Sequence, residues 1–121
     1  MHYDLKHLST FVAVAEELNF HRAAERLGMA QPAVSRMVQE LEDRLGVKLL
    51  ERTTRKVMLT ETGRYLLEEA QDVLDRLDVA ESTVRLLASG TKAILRIGYT
   101  TITGHSLVPK IAREFRLENP E

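Results

Sequence analysis

Cysteine is missing from the 121-residue chain, which removes disulfides and thiolate metal ligands and is compatible with a reducing compartment. Nor does any apolar run approach the roughly eighteen residues that a membrane span needs. The opening "MHYDLKHLST" has neither the basic start nor the apolar core of a signal peptide, so a cytoplasmic chain with no membrane attachment is expected. His2, His7, His21 and His105 share no ligand spacing, and no nucleophile–base or carboxylate pair stands out. Metal, cofactor and enzymatic activity are therefore not expected. "GYTTITGHS" fails as a phosphate loop, with five residues between its glycines instead of four and His105 where a lysine belongs. Internal repeats and low-complexity segments are absent too.

What is present is globular in composition, with 44% hydrophobic and 29% charged residues. The length suits one small domain with appendages. A formal net charge of −1 hides an uneven distribution. Residues 1–60 carry nine Lys/Arg against eight Asp/Glu, residues 61–90 three against seven, and residues 91–121 five against three. A mildly basic front end thus precedes an acidic middle.

Leu5, Leu8, Phe11, Val12, Ala15 and Leu18 recur every three or four residues and predict an amphipathic helix ending near Leu18. Asn19 reads as the N-cap of a shorter helix, "FHRAAERL", and Gly28 as its left-handed stop. In "GMAQPAVSRMVQELE" a proline interrupts a helical pattern. Pro32 is tolerated if it lies in the first turn, where no N–H is needed, so a third helix begins near Gln31 and closes near Gly46. Residues 47–50 and 57–59 then flank a polar tip, residues 52–56, and predict a small β-hairpin whose turn lacks a glycine signal.

From about residue 60 to 89 the apolar positions Leu66, Ala70, Val73, Leu77, Ala80, Val84 and Leu87 step by four and three, as a/d positions of three heptads. Leu67 and Leu74 widen the stripe. Such a stripe either packs on its own domain or meets a partner chain, and three uninterrupted heptads after a complete small domain favour the partner. Beyond Gly90, "ILRIGY" reads as a strand, "TTITGHS" as a loop, and "LVPKIAREFRLENP" as a helix with Val108, Ile111, Ala112 and Phe115 on one side. One strand and one helix bury no core alone.

Two short helices joined at a glycine, the second presenting its N-terminal residues, form a helix-turn-helix. Its second helix enters the major groove of double-stranded DNA. Gln31 can pair with an adenine edge, Ser35 can donate or accept, and Arg36 can fork onto guanine or grip a phosphate. Pro32 and Ala33 offer small apolar surface to a thymine methyl. Arg52, Arg55 and Lys56, with the hydroxyls of Thr53 and Thr54, suit phosphates or a narrow minor groove; a solvated hairpin tip is the plain alternative. Arg26 is expected in a structural ion pair, Arg22 is a weaker phosphate candidate, and Arg44 and Lys48 read as surface charge.

These segments carry a resemblance. "FHRAAERL", "QPAVSR", "LEDRLGVKLLER" and "LTETG", in that order and spacing, resemble the N-terminal domain of LysR-type transcriptional regulators, and the likeness continues through "LRIGYTTITGHSLVPKIAREFRLENP". It implies a mainly α fold: a winged helix-turn-helix with a β-hairpin wing, a long dimerisation helix, and a truncated βα unit. The implied segments are residues 1–60 (helix-turn-helix about 20–39), a linker helix over 61–89, and an incomplete effector-binding domain from 90 to 121. The resemblance places Gln31, Pro32, Ser35 and Arg36 on the recognition helix and Arg52 on the wing. It also implies antiparallel pairing into a homodimer or dimer of dimers, a palindromic operator, and a small-molecule inducer only in a longer chain, with Thr100 and Thr101 toward the effector cleft. His21 and Ala30 depart from residues frequent at those positions, Thr or Ser and Ser. The competing expectation is an oligomerisation module with a degenerate helix-turn-helix, supported by the near-zero net charge.

Overall fold

Each of the first three helices starts and stops where local chemistry dictates. In the computed structural model, which describes residues 3–90 and 108–120, α1 spans Leu5–Glu17, α2 Phe20–Leu27 and α3 Gln31–Leu45. Asp4 caps α1, its carboxylate accepting the His7 N–H at 3.1 Å. The helix ends on Leu18 in the left-handed region, φ 49°, with its N–H donated to the Val14 carbonyl at 2.7 Å. That reversal puts Asn19 in an extended conformation, from which its side chain accepts the Arg22 N–H at 2.9 Å and opens α2. Gly28, φ 62°, closes α2, a conformation that a Cβ would strain. Pro32 does fall in the first turn of α3.

The three helices cross around Phe11, Val14, Ala23, Val34, Val38 and Leu41, all fully buried. Ala23 and Ala24 let α2 approach closely because neither extends beyond Cβ. Each buried Val, Leu or Phe contributes about 1.5–3 kcal/mol by leaving water.

The hairpin follows, β1 over Leu50–Arg52 and β2 over Val57–Leu59, antiparallel with Leu50 opposite Leu59 and Arg52 opposite Val57. The first strand thus starts later than the 47–50 read from the sequence, and Arg52 lies in it, not at the tip. The helix α4 (Glu61–Ala88) follows at once. The Lys48 carbonyl accepts the Thr60 and Thr62 hydroxyls at 2.7 and 2.8 Å, and the Leu49 carbonyl accepts the Thr60 N–H at 3.0 Å. Thr60 Oγ1 in turn caps Gly63 N–H at 3.0 Å. Gly63 is buried so close to the Leu49 carbonyl that a Cβ would overlap it, and it would crowd the Leu59 side chain. The turn needs no glycine because Thr53 closes it, its Oγ1 accepting Lys56 N–H at 3.0 Å and its own N–H donating to the Lys56 carbonyl at 2.9 Å.

The heptad stripe of α4 is split, which corrects its reading as a single partner-facing surface. Ala70 is 2% exposed inside the chain's own core, and Leu66, Leu67 and Leu74 pack against that core. Ala70 has no surface left for a partner because its end of the helix, drawn in at Gly63, covers the three-helix core. Leu77 is half-buried, whereas Val73, Ala80, Val84 and Leu87 are exposed. The chain divides into two compact units, Met1–Asp78 and Val79–Glu121, within α4. In the second unit α5 spans Val108–Glu118; Val108 and Ala112 are half-buried while Ile111 and Phe115 are exposed. The expected strand "ILRIGY" and residues Thr100 and Thr101 lie outside the described residues. No described helix is long and apolar enough to cross a membrane.

Candidate nucleic-acid interface

Packing of α3 decides what its first turn presents. Val34, Met37, Val38 and Leu41 turn into the core, so the intervening positions face out. Gln31, Pro32 and Arg36 are exposed, and Ala33 and Ser35 half-exposed. All five lie within the first two turns. Ala30, at the N-cap, supplies no side-chain hydrogen bond, so the positive end of the helix dipole is left without a polar side-chain cap.

Arg52 joins the hairpin to this surface. Its Nη1 donates to Ser35 Oγ at 3.0 Å, and its guanidinium lies over the Phe20 ring, 4.3 Å from the centroid. One cation therefore ties β1 to α2 and α3, combining a hydrogen bond with a cation–π contact. Arg55 and Lys56 sit exposed at the tip, without an ion pair among the described residues. The structure thus brings together Gln31, Pro32, Ala33, Ser35, Arg36 and Arg52, with Arg55 and Lys56 further out along the wing. Arg22 and Arg44 are exposed on α2 and α3.

Several neighbours escape a reading by motif. Phe20 looks like core filler, yet it supports Arg52. His7 is 8% exposed, and both ring nitrogens meet carboxylates: Nδ1 to Asp4 Oδ1 and Nε2 to Glu40 Oε2, each at 2.8 Å. The hydrogen bond donated to Glu40, and to a lesser degree that donated to Asp4, pushes the His7 pKa above its ordinary 6.5, outweighing burial, which acts the other way. The His7 side chain likewise holds the Asp4 carboxyl below its ordinary 3.8. Glu40 also pairs with Arg36, Oε1 to Nε at 3.8 Å. An acidic residue four places after a candidate DNA-contacting arginine was the available signal.

Charge pairs organise the rest. Arg26 bridges α2 to Glu16 and Glu17 at 3.5 and 3.6 Å, as expected of a structural pair. Lys48 is surface charge, 67% exposed, and its Nζ lies 3.2 Å from Oε2 of Glu42, a side chain 3% exposed. His21 pairs with Glu25 at 3.0 Å on the surface of α2.

A family model described as bacterial regulatory helix-turn-helix protein, lysR family, matches residues 5–64. A probable cat1 operon transcriptional activator of Acinetobacter lwoffii is 41% identical over 118 residues, covering 98% of this chain and 39% of its own. The DBD of BenM, solved in complex with catB site 1 DNA, matches with a TM-score of 0.69 at 43% identity, over 71% of this chain and 96% of that one. The CbnR DBD–DNA complex gives 0.66 at 40% identity, over 70% and 98%. The chain spans about two-fifths of the length of the curated relatives it matches. The order of caps, helices and wing described above, and these likenesses, have one conclusion: the chain belongs to the LysR family of bacterial regulatory helix-turn-helix proteins.

Proposed function

We propose that this chain is the DNA-binding and dimerising part of a bacterial transcriptional regulator, acting in the cytoplasm on double-stranded DNA. The observation that carries this reading is the outward face of Gln31, Pro32, Ser35 and Arg36 beside Arg52, in a chain 43% identical to a DBD solved on DNA. Gln31 and Arg36 read base edges, Pro32 and Ala33 touch thymine methyls, and Ser35 and Arg52 bind at the groove edge. Arg55 and Lys56 extend the contact along the backbone.

In this reading residues 1–60 are the winged helix-turn-helix, 61–89 the linker helix, and 90–121 the beginning of an effector-binding domain. Two copies pair through the remainder of the stripe, the half-buried Leu77 and the exposed Val73, Ala80, Val84 and Leu87, as a dimer or a dimer of dimers. Two-fold symmetry in the protein then demands a palindromic operator. Thr100 and Thr101 would face a small-molecule inducer only in a longer chain.

Gel shifts on DNA from the chain's own promoter region test the reading. Retardation that weakens steeply with added salt is expected, because several phosphates release counterions. Arg36→Ala or Gln31→Ala should cost about 1–3 kcal/mol and relax base preference. A dimeric sample that retards nothing at low salt overturns the reading and leaves an oligomerisation module.

A further inference from the structure

Arg36 projects from α3 with 72% of its side chain exposed, and a long side chain so placed samples many rotamers. Its one ion pair among the described residues is with Glu40, one turn further on, Nε to Oε1 at 3.8 Å. Arginine preceding glutamate is the weaker orientation of such a pair, and an exposed pair of this kind normally restrains little. Glu40 differs through its second oxygen. Oε2 meets His7 Nε2 at 2.8 Å, on a ring 10% exposed whose other nitrogen is fixed by Asp4. The carboxylate is therefore ordered from α1 before Arg36 approaches it. Engagement through Nε also leaves both terminal nitrogens of the guanidinium free, and these form the edge that forks onto guanine or phosphate.

We propose that Glu40 is a positioning residue for DNA reading, restraining Arg36 through Nε while His7 fixes the carboxylate from α1. The inference rests on the DNA contact proposed for Arg36. Two carboxylates at 2.8 Å suit the imidazolium form of His7, which donates from both nitrogens. The Asp4 N–H lies 3.4 Å from Nδ1, so a proton lost there leaves Nε2–H still donating to Glu40. Glu40 is then no longer shared between two cations, and its charge falls to Arg36 alone. Raising the pH thus tightens the Arg36–Glu40 pair and raises the ratio of affinities for the selected and mixed duplexes. Other charged groups nearby are engaged elsewhere: on α2, His21 with Glu25 and Arg26 with Glu16 and Glu17, and on α3, Asp43 with Gln39.

The test uses the full chain, a duplex selected by the wild type from a randomised pool, and a mixed-sequence duplex, with affinities from fluorescence anisotropy. Glu40→Gln keeps an acceptor for His7 and loses the charge. It should lower the selected-to-mixed affinity ratio roughly three- to tenfold, within the coupling range of neighbouring side chains. It should also flatten the pH dependence, and do nothing further once Arg36→Ala is present. His7→Gln, with folding checked by circular dichroism, should flatten the same pH profile. Glu40→Gln strengthening both duplexes equally, or acting undiminished without Arg36, overturns the proposal. An unchanged ratio does so too while leaving DNA binding standing; a wild type that enriches no duplex brings down both.

Discussion

Ala70 and Leu87 belong to one heptad stripe on one helix, yet the first is 2% exposed and the second 55%. The contrast extends to their surroundings. Every buried residue among those described lies at or before Ala70, and residues 79–88 and α5 contain none. Apolar side chains are not scarce in the second region, where Val84, Leu87, Ile111 and Phe115 all stand exposed. What differs is whether other elements fold back to cover them. Around Phe11 three helices cross and a hairpin draws the start of α4 inward; beyond Asp78 no described element completes such a layer. Periodicity therefore names the face of a helix that avoids water, and says nothing of what will cover it.

The sharpest way to break this contrast is to damage each region in turn. Phe11→Ala should cost about 3–5 kcal/mol in urea unfolding, whereas Leu87→Ala should leave that transition of the first unit in place. Leu87→Asp should instead act on association. If a second copy covers the stripe, losing one buried leucine contact removes about 1.5–3 kcal/mol and raises the dimer dissociation constant at least about tenfold in sedimentation equilibrium. An unchanged constant would remove Leu87 from any interface.

Gly63→Ala probes how the start of α4 is drawn onto the first region. Alanine gains up to about 1 kcal/mol of helix propensity over glycine, but its methyl would overlap the Leu49 carbonyl. Overpacking against backbone costs about 1–3 kcal/mol, so thermal denaturation should register a net loss. The smallest effect is expected from His7. Because folding raises its pKa, its contribution is complete below the ordinary 6.5 and disappears as pH rises through the folded value. The stability gap between wild type and His7→Gln should shrink over that interval. Asp4 runs the other way, its contribution fading as pH falls from the ordinary 3.8 through a lower folded value.

The local punctuation was legible in the chain itself. Asn19, Gly28 and Pro32 each act within a few residues of their own position, and each ends or begins a helix as its chemistry requires. The outward face of α3 was legible too, since Val34, Val38 and Leu41 fix which side is buried. Contacts across long separations were not. His7 meets Glu40 from 33 positions away and Arg52 meets Ser35 from 17, and such encounters depend on how helices cross, which no period encodes. The partner of Lys48 was hidden for the same reason: the burial of Glu42 beside it exists only after folding. The first strand begins at Leu50, and the Thr60 N–H bond to the Leu49 carbonyl continues its register with the second.

The bond from Arg52 to Ser35 gives β1 and α3 a common latch. An anion that draws the guanidinium away also frees the exposed serine hydroxyl, which can then turn to water or to the same surface. Two polar groups are thus offered together to whatever takes the guanidinium.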